Sequence, residues 1–169
     1  MSVGPILVAI GANLPGPAGA PPLATCEAAV ARLALLPGLR LAARSAWWDS
    51  AAWPDPAGPR YVNGVVRLEG EADPAALLAA LQAIEHASGR VRGEANAPRT
   101  LDLDLLAMGD LVRDAPDPVL PHPRMTGRAF VLWPAAEVAA LWLHPGLGAS
   151  LASLAASLPP AQDCQRLPD

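Results

Sequence analysis

The sequence predicts an α+β fold: a ferredoxin-like β-α-β-β-α-β core, with helices packed on an antiparallel sheet and a C-terminal helical extension. Three observations predict it. Short apolar or alternating runs recur at residues 6–10, 39–49, 61–69 and 101–106, with the patterns of buried and half-buried strands. Two segments between them, near residues 25–36 and 74–88, carry apolar side chains at helical spacing. Proline and glycine punctuate the junctions. A chain of 169 residues is long enough for one well-packed domain and short for two, so a single domain over 1–169 is expected.

Ile6-Leu7-Val8-Ala9-Ile10 is a continuous apolar run closed by Gly11, and reads as a buried first strand. A Pro/Gly-rich loop follows through Pro22. The first helix is expected to start near Thr25 as N-cap, to bury Cys26, Val30 and Leu33, and to stop at Pro37-Gly38. Residues 39–49 read as one strand running into Trp47-Trp48, neighbours of which only one can point inward. The Pro-rich stretch from Asp49 to Arg60 is a loop long enough to have a function. In the strand Tyr61–Glu69, Val62, Gly64, Val66 and Leu68 share one face, and Tyr61, Asn63, Val65 and Arg67 the other. Asp73-Pro74 supplies an N-cap and a first-turn proline for the second helix. Leu77, Leu81 and Ile84 form its buried stripe, Gln82 and Glu85 share a neighbouring face, and Gly89 ends it. Beyond the strand at 101–106, helices are expected near 127–140 and, more weakly, near 149–158.

All 12 basic residues are arginine, which excludes lysine-dependent chemistry such as Schiff bases or a Walker A motif. The net charge of −4 argues against a nucleic-acid partner. Cys26 and Cys164 lack metal-ligand spacing and are expected to be separate reduced thiols. There is no basic n-region and no apolar run of membrane-spanning length, so a soluble, cytoplasmic chain with no membrane partner is expected.

The most informative stretch is Pro98-Arg99-Thr100-Leu101-Asp102-Leu103-Asp104-Leu105. On a strand, residues two apart leave the same face, so Asp102 and Asp104 stand side by side. An isolated pair of this kind is more often two solvated aspartates than a site. Beside the arginines, a shared divalent cation becomes the better explanation for two like charges held so close. Arg90, Arg92 and Arg99 flank the preceding loop, and His122, Arg124 and Arg128 form a second polar cluster. Guanidinium groups remain charged and bind phosphate bidentately, so carboxylates for a metal beside arginines suggest chemistry on a nucleotide. Tyr61 and Asn63 place an aromatic wall beside an amide able to read a heterocycle's edge. Tyr61 and Phe130, the single Tyr and Phe of the chain, could equally serve packing.

With these residues in view, the chain resembles the 6-hydroxymethyl-7,8-dihydropterin pyrophosphokinase family. The matching pieces are Ala9-Ile10-Gly11-Ala12-Asn13-Leu14, Tyr61-Val62-Asn63-Gly64, Gly89-Arg90-Val91-Arg92, Pro98 to Asp104, Pro121-His122-Pro123-Arg124-Met125 and Arg128-Ala129-Phe130-Val131-Leu132-Trp133-Pro134. They cover about residues 6–140 in the family's order. The resemblance implies transfer of pyrophosphate from Mg-ATP to the pterin's hydroxymethyl oxygen, with AMP as the other product, in folate biosynthesis. It implies two Mg²⁺ ions held by Asp102 and Asp104, with Arg90 and Arg99 stabilising charge on the transferring group. Asn63, Tyr61, Phe130 and Trp53 would meet the pterin; Gln82, Glu85, Arg92, His122 and Arg128, with backbone near Leu105, would line the ATP side. ATP and the pterin are then the small-molecule partners of an expected monomer.

Three departures from the family pattern stand out: Asn96 replaces a frequent Trp, Pro123 replaces a Tyr, and the pterin-side loop reads Ser50-Ala51-Ala52-Trp53-Pro54. Two other readings remain: an ATP-dependent transferase with a different small-molecule acceptor, or a non-catalytic ferredoxin-like RNA-binding or regulatory module. The latter predicts an open, basic sheet face with exposed aromatics.

Overall fold

The structure, a computed structural model, describes residues 4–52, 56–89 and 100–168. Arg90, Arg92, Arg99, Asn96 and Trp53 lie outside the described residues. The elements run β1 (Ile6–Ala12), α1 (Pro22–Leu33), β2 (Leu39–Arg44), β3 (Trp48–Ser50), β4 (Tyr61–Gly70), α2 (Pro74–Ala87), β5 (Asp102–Met108), α3 (Ala129–Ala139), α4 (Leu151–Ser157) and β6 (Cys164–Arg166). The strands form one sheet in the order β5-β1-β4-β3-β6, and β2 also pairs with β4. The observed strand pairs are antiparallel. This is the predicted α+β architecture of ferredoxin-like type.

Alternation divides each central strand between two cores. Ile6, Val8 and Ile10 of β1, Val66 and Leu68 of β4, and Leu103 and Leu105 of β5 are buried under Cys26, Ala29 and Leu33 of α1 and Leu77, Leu81 and Ile84 of α2. Leu7, Val65 and Leu106 point the other way, into a second core with Val131, Leu132, Ala135 and Val138 of α3 and Leu151 of α4. The helices therefore cover both faces of the sheet. The helix pattern of α3 could not reveal this, because its buried residues surround much of its circumference. A covered second face also removes the open platform that the RNA-binding reading requires.

The expected single strand over 39–49 is two. β2 pairs with one half of the β4 edge and β3 with the other. Between them Ser45 donates its N–H to Val65 O (2.9 Å), while its hydroxyl oxygen accepts from Val65 N (2.9 Å). A side chain thus replaces one rung of the ladder and lets Trp47 turn into the core. The Trp47 ring lies on Gly64, where a Cβ would stand 2.6 Å from it, so no side chain fits at that position without moving the indole. Trp47 is buried and Trp48 half-buried, as neighbours on a strand require.

The start of α1 corrects the sequence reading. Pro21 occupies the N-cap and Pro22 the first turn, where a missing N–H costs nothing; Thr25 is buried inside the helix. Asp73 caps α2 as predicted, accepting from Ala76 N (3.0 Å), and Gly89 follows it with φ +86°. α3 and α4 are slightly shorter than expected, and Ser150 caps α4. β6 was not expected at all. Among the described residues no helix is long and apolar enough to cross a membrane. Both cysteines are free and buried.

Candidate active site

The site forms where three strands present small or polar residues on the α3 side of the sheet. In register, Gly11 of β1 faces Asn63 of β4 on one side and Asp102 of β5 on the other, and Ala9 faces Val65 and Asp104. With strands about 4.8 Å apart, Asp102 and Asn63 are about 10 Å apart along this row, backbone to backbone. Gly11 leaves the floor between them open: a Cβ there would stand 3.3 Å from Asn63 Oδ1. Above this floor is a cavity of about 780 Å³, a volume within the range of small-molecule sites.

Asp102 and Asp104 line one side, with His122, Arg124 and Arg128 beside them; Tyr61, Asn63 and Phe130 line the same cavity. These eight residues, all singled out by sequence, thus converge from β4, β5, α3 and the segments before α3. Asn63 is buried, and its amide donates to Ser50 Oγ (2.7 Å), which fixes the amide plane against the end of β3. The Arg128 guanidinium lies 5.5 Å from the Phe130 ring centroid, so a residue expected on the ATP side touches one expected on the pterin side.

His122 is fastened to the sheet by its backbone N–H, which donates to Leu106 O (2.8 Å). Its Nδ1 accepts from Arg124 N (3.2 Å), leaving Nε2–H as the imidazole's donor. Burial first, then the positive charges of Arg128 and Arg124, hold His122 below its ordinary range, while Asp102 pulls the other way. The imidazole is therefore a neutral donor at physiological pH rather than a charge.

Gln82, Glu85 and Leu105 lie outside the described lining of the cavity. Gln82 is exposed on α2 and Leu105 is in the core. Glu85 is buried, and its Oε2 accepts from Leu103 N (2.8 Å), tying α2 to the outer edge of β5. Replacing Glu85 by Ala would orphan that buried N–H, with an expected loss of about 1–3 kcal/mol of stability. A lowered urea midpoint would report it, and an unchanged midpoint would contradict it.

The residues fit Mg²⁺. Two adjacent carboxylates offer hard oxygen donors, and a magnesium site commonly completes its octahedron with water and substrate phosphate. Among the described residues there is no group of three or more His, Cys, Asp or Glu arranged for a metal.

The structure gives a place in the lining to Arg124, for which the resemblance implied no role, and brings in residues the sequence reading left out of the site: Ala9 and Gly11 as floor, and Gln162, Asp163 and Cys164 from the C-terminal segment. Arg124 and Gly11 stood within the matched motifs, whereas residues 162–164 carried no local signal. Burial first, then Asp49, pushes the Cys164 thiol up to about 11, so it is protonated and not a nucleophile at neutral pH.

A covered α+β sheet thus gathers carboxylates, cationic groups and an amide–aromatic wall around one cavity, the class of site suited to an anionic ligand beside a heterocycle. The comparisons with known proteins narrow it. The model of the 7,8-dihydro-6-hydroxymethylpterin-pyrophosphokinase family matches residues 7–140, and the chain belongs to that family. It is 42% identical over 167 residues to the 2-amino-4-hydroxy-6-hydroxymethyldihydropteridine pyrophosphokinase of Pseudomonas aeruginosa, covering 96% of each chain. To the protein of the same name from Synechocystis it is 40% identical over 148 residues, covering 88% of this chain and 73% of the relative. The Haemophilus influenzae protein of that name is 35% identical over 132 residues, covering 78% of this chain and 79% of the relative.

Proposed function

We propose that this protein transfers the terminal pyrophosphoryl group of ATP to the hydroxymethyl oxygen of 6-hydroxymethyl-7,8-dihydropterin, and that the cavity over Gly11 is where transfer occurs. The new bond joins the pterin oxygen to the β-phosphorus. The bond from that phosphorus to the bridging oxygen of the α-phosphate breaks, AMP leaves with that oxygen, and the hydroxyl proton passes to solvent. The observation that carries this reading is the row Asp102–Gly11–Asn63, which puts a carboxylate pair and an amide at opposite ends of one open floor.

Asn63 reads the donor–acceptor edge of the pterin, held in orientation by Ser50, while Phe130 and Tyr61 supply apolar walls for the ring. Asp102 and Asp104 would hold Mg²⁺, which when bound would neutralise phosphate charge and help lower the pKa of the attacking hydroxyl. His122 donates from Nε2 to a phosphate oxygen, and Arg128 adds a fixed positive charge beside it. Glu85 fixes the β5 edge at Leu103, so that the backbone at Leu105, two residues along, is held in place for the adenine. Gln82, Arg92 and Trp53 complete the expected contacts, and Arg90 and Arg99 bring charge to the transferring group.

The test is AMP release from Mg·ATP with and without the pterin, with the pterin product identified by mass. Pterin-dependent AMP together with a diphosphorylated pterin is the expected result. ATP binding without pterin turnover would replace the acceptor, and failure to bind either ligand would overturn the reading.

A further inference from the structure

The C-terminal segment beyond the family match supplies one wall of the cavity, and one side chain fastens it there. Gln162, Asp163 and Cys164 line the cavity together with Ser50, Ala51 and Ala52. The two stretches adjoin two short strands at one end of the sheet: β3 and β6, the outermost, have three residues each, paired Trp48 to Arg166, Asp49 to Gln165 and Ser50 to Cys164. So short an edge pairing offers few backbone hydrogen bonds to hold it. Ala51 N–H donates to Asp163 O (3.2 Å) and Leu167 N–H to Trp47 O (2.8 Å), which extends the contact by one bond at each end.

Arg60, just before β4, joins the two stretches. Its Nε donates to both carboxylate oxygens of Asp49 (2.9 and 3.0 Å), and its Nη1 and Nη2 donate to the two oxygens of Asp163 (3.1 and 2.8 Å). Arg60 and Asp163 are 103 residues apart in the chain. At the far end of β6, Arg166 approaches Glu137 of α3 (3.5 Å), which also accepts from Trp48 Nε1 (2.7 Å). β6 is thus pinned at both ends, and the end at the cavity is the one Arg60 holds.

We propose that Arg60 is a positioning residue for the pterin: its guanidinium, shared by Asp49 and Asp163, sets the wall formed by the C-terminal segment against the pterin-side loop. The inference rests on the function proposed for this cavity. An exposed ion pair alone contributes little to stability, but location gives this one its effect. Without Arg60, the carboxylates of Asp49 and Asp163, diagonal neighbours across the β3–β6 pairing, would lose the cation they share, and the residual like-charge repulsion would loosen the wall against the loop. The disturbance is local to that edge of the sheet. Asp102 and Asp104 lie on β5, at the opposite edge, so the ATP end keeps its shape.

The experiment is steady-state kinetics on the full chain with each substrate varied in turn. Arg60→Ala is expected to raise the pterin KM about tenfold while the ATP KM and kcat stay within about twofold. Arg60→Lys keeps a positive charge between the carboxylates and is expected to recover most of the loss. An unchanged pterin KM, equal rises in both KM values, or a Lys variant as impaired as the Ala variant would each overturn the proposal. Wild-type protein forming no pterin diphosphate would instead sink the functional reading itself, so the two failures are distinguishable.

Discussion

Replacing Asp102 or Asp104 by Ala is expected to reduce Mg²⁺-dependent turnover by about 10³-fold or more, with the protein still folded. Both aspartates are half-buried on the cavity face of β5, while the strand's hold on the core comes from Leu103 and Leu105 on the opposite face and from Leu106. The substitutions therefore remove charge from the cavity without removing apolar area from either core. Their neighbours in register, Ala9 and Gly11, are too small to refill the space with another polar group. The check is kcat at saturating ATP across a magnesium titration, with circular dichroism as the control for folding. Rates near those of the unmodified protein in either variant would remove the carboxylate pair from the mechanism.

Asn63→Leu should lower kcat/KM for the pterin by about 10²-fold or more, because a site built around a buried amide loses both orientation and hydrogen bonds when the amide goes. Leucine has the same branched four-atom skeleton as asparagine, so the change keeps the side chain's shape and removes its polar groups. It also leaves Ser50 Oγ without the amide that donates to it at 2.7 Å. ATP affinity, measured by calorimetry, is expected to be unaffected, since Asn63 stands at the end of the row away from Asp102 and Asp104. A loss in kcat/KM below about threefold would mean that Asn63 serves the loop rather than the substrate.

The two substitutions separate the ends of the cavity, and Arg60→Ala adds a third point at its C-terminal wall. Together they ask whether one cavity handles two substrates with little overlap. The contact between Arg128 and Phe130 marks where the ends meet, and a substitution there should affect both substrates.

The site was legible from the sequence wherever its chemistry lay within a short stretch of chain. Asp102 and Asp104 share a face because a strand repeats every two residues, and no tertiary information is needed to know it. The same holds for Tyr61 with Asn63, for the α2 cap at Asp73 and for the buried stripe Leu77, Leu81 and Ile84. Motif order then joined these fragments into a family, which the match over residues 7–140 bears out. Sequence reading went astray at boundaries set by a single contact. The break between β2 and β3 depends on Ser45 replacing a rung opposite Val65, and the helix start at Pro22 moved Thr25 from a cap to a buried position.

Local pattern, then, fixed the central strands β1, β4 and β5, the two helices between them and the chemical groups that line the cavity, because period and motif are written in neighbouring residues. Packing in three dimensions fixed the rest. The three residues of β6 have too short a run for any periodicity to show, and they form a strand because β3 offers them an edge. The side of the sheet that α3 covers depends on which face Leu7, Val65 and Leu106 leave apolar. The wall made by Gln162, Asp163 and Cys164 depends on a guanidinium 103 residues away in the chain. Contacts of that range are set by the register of the whole sheet, and no window of sequence contains it.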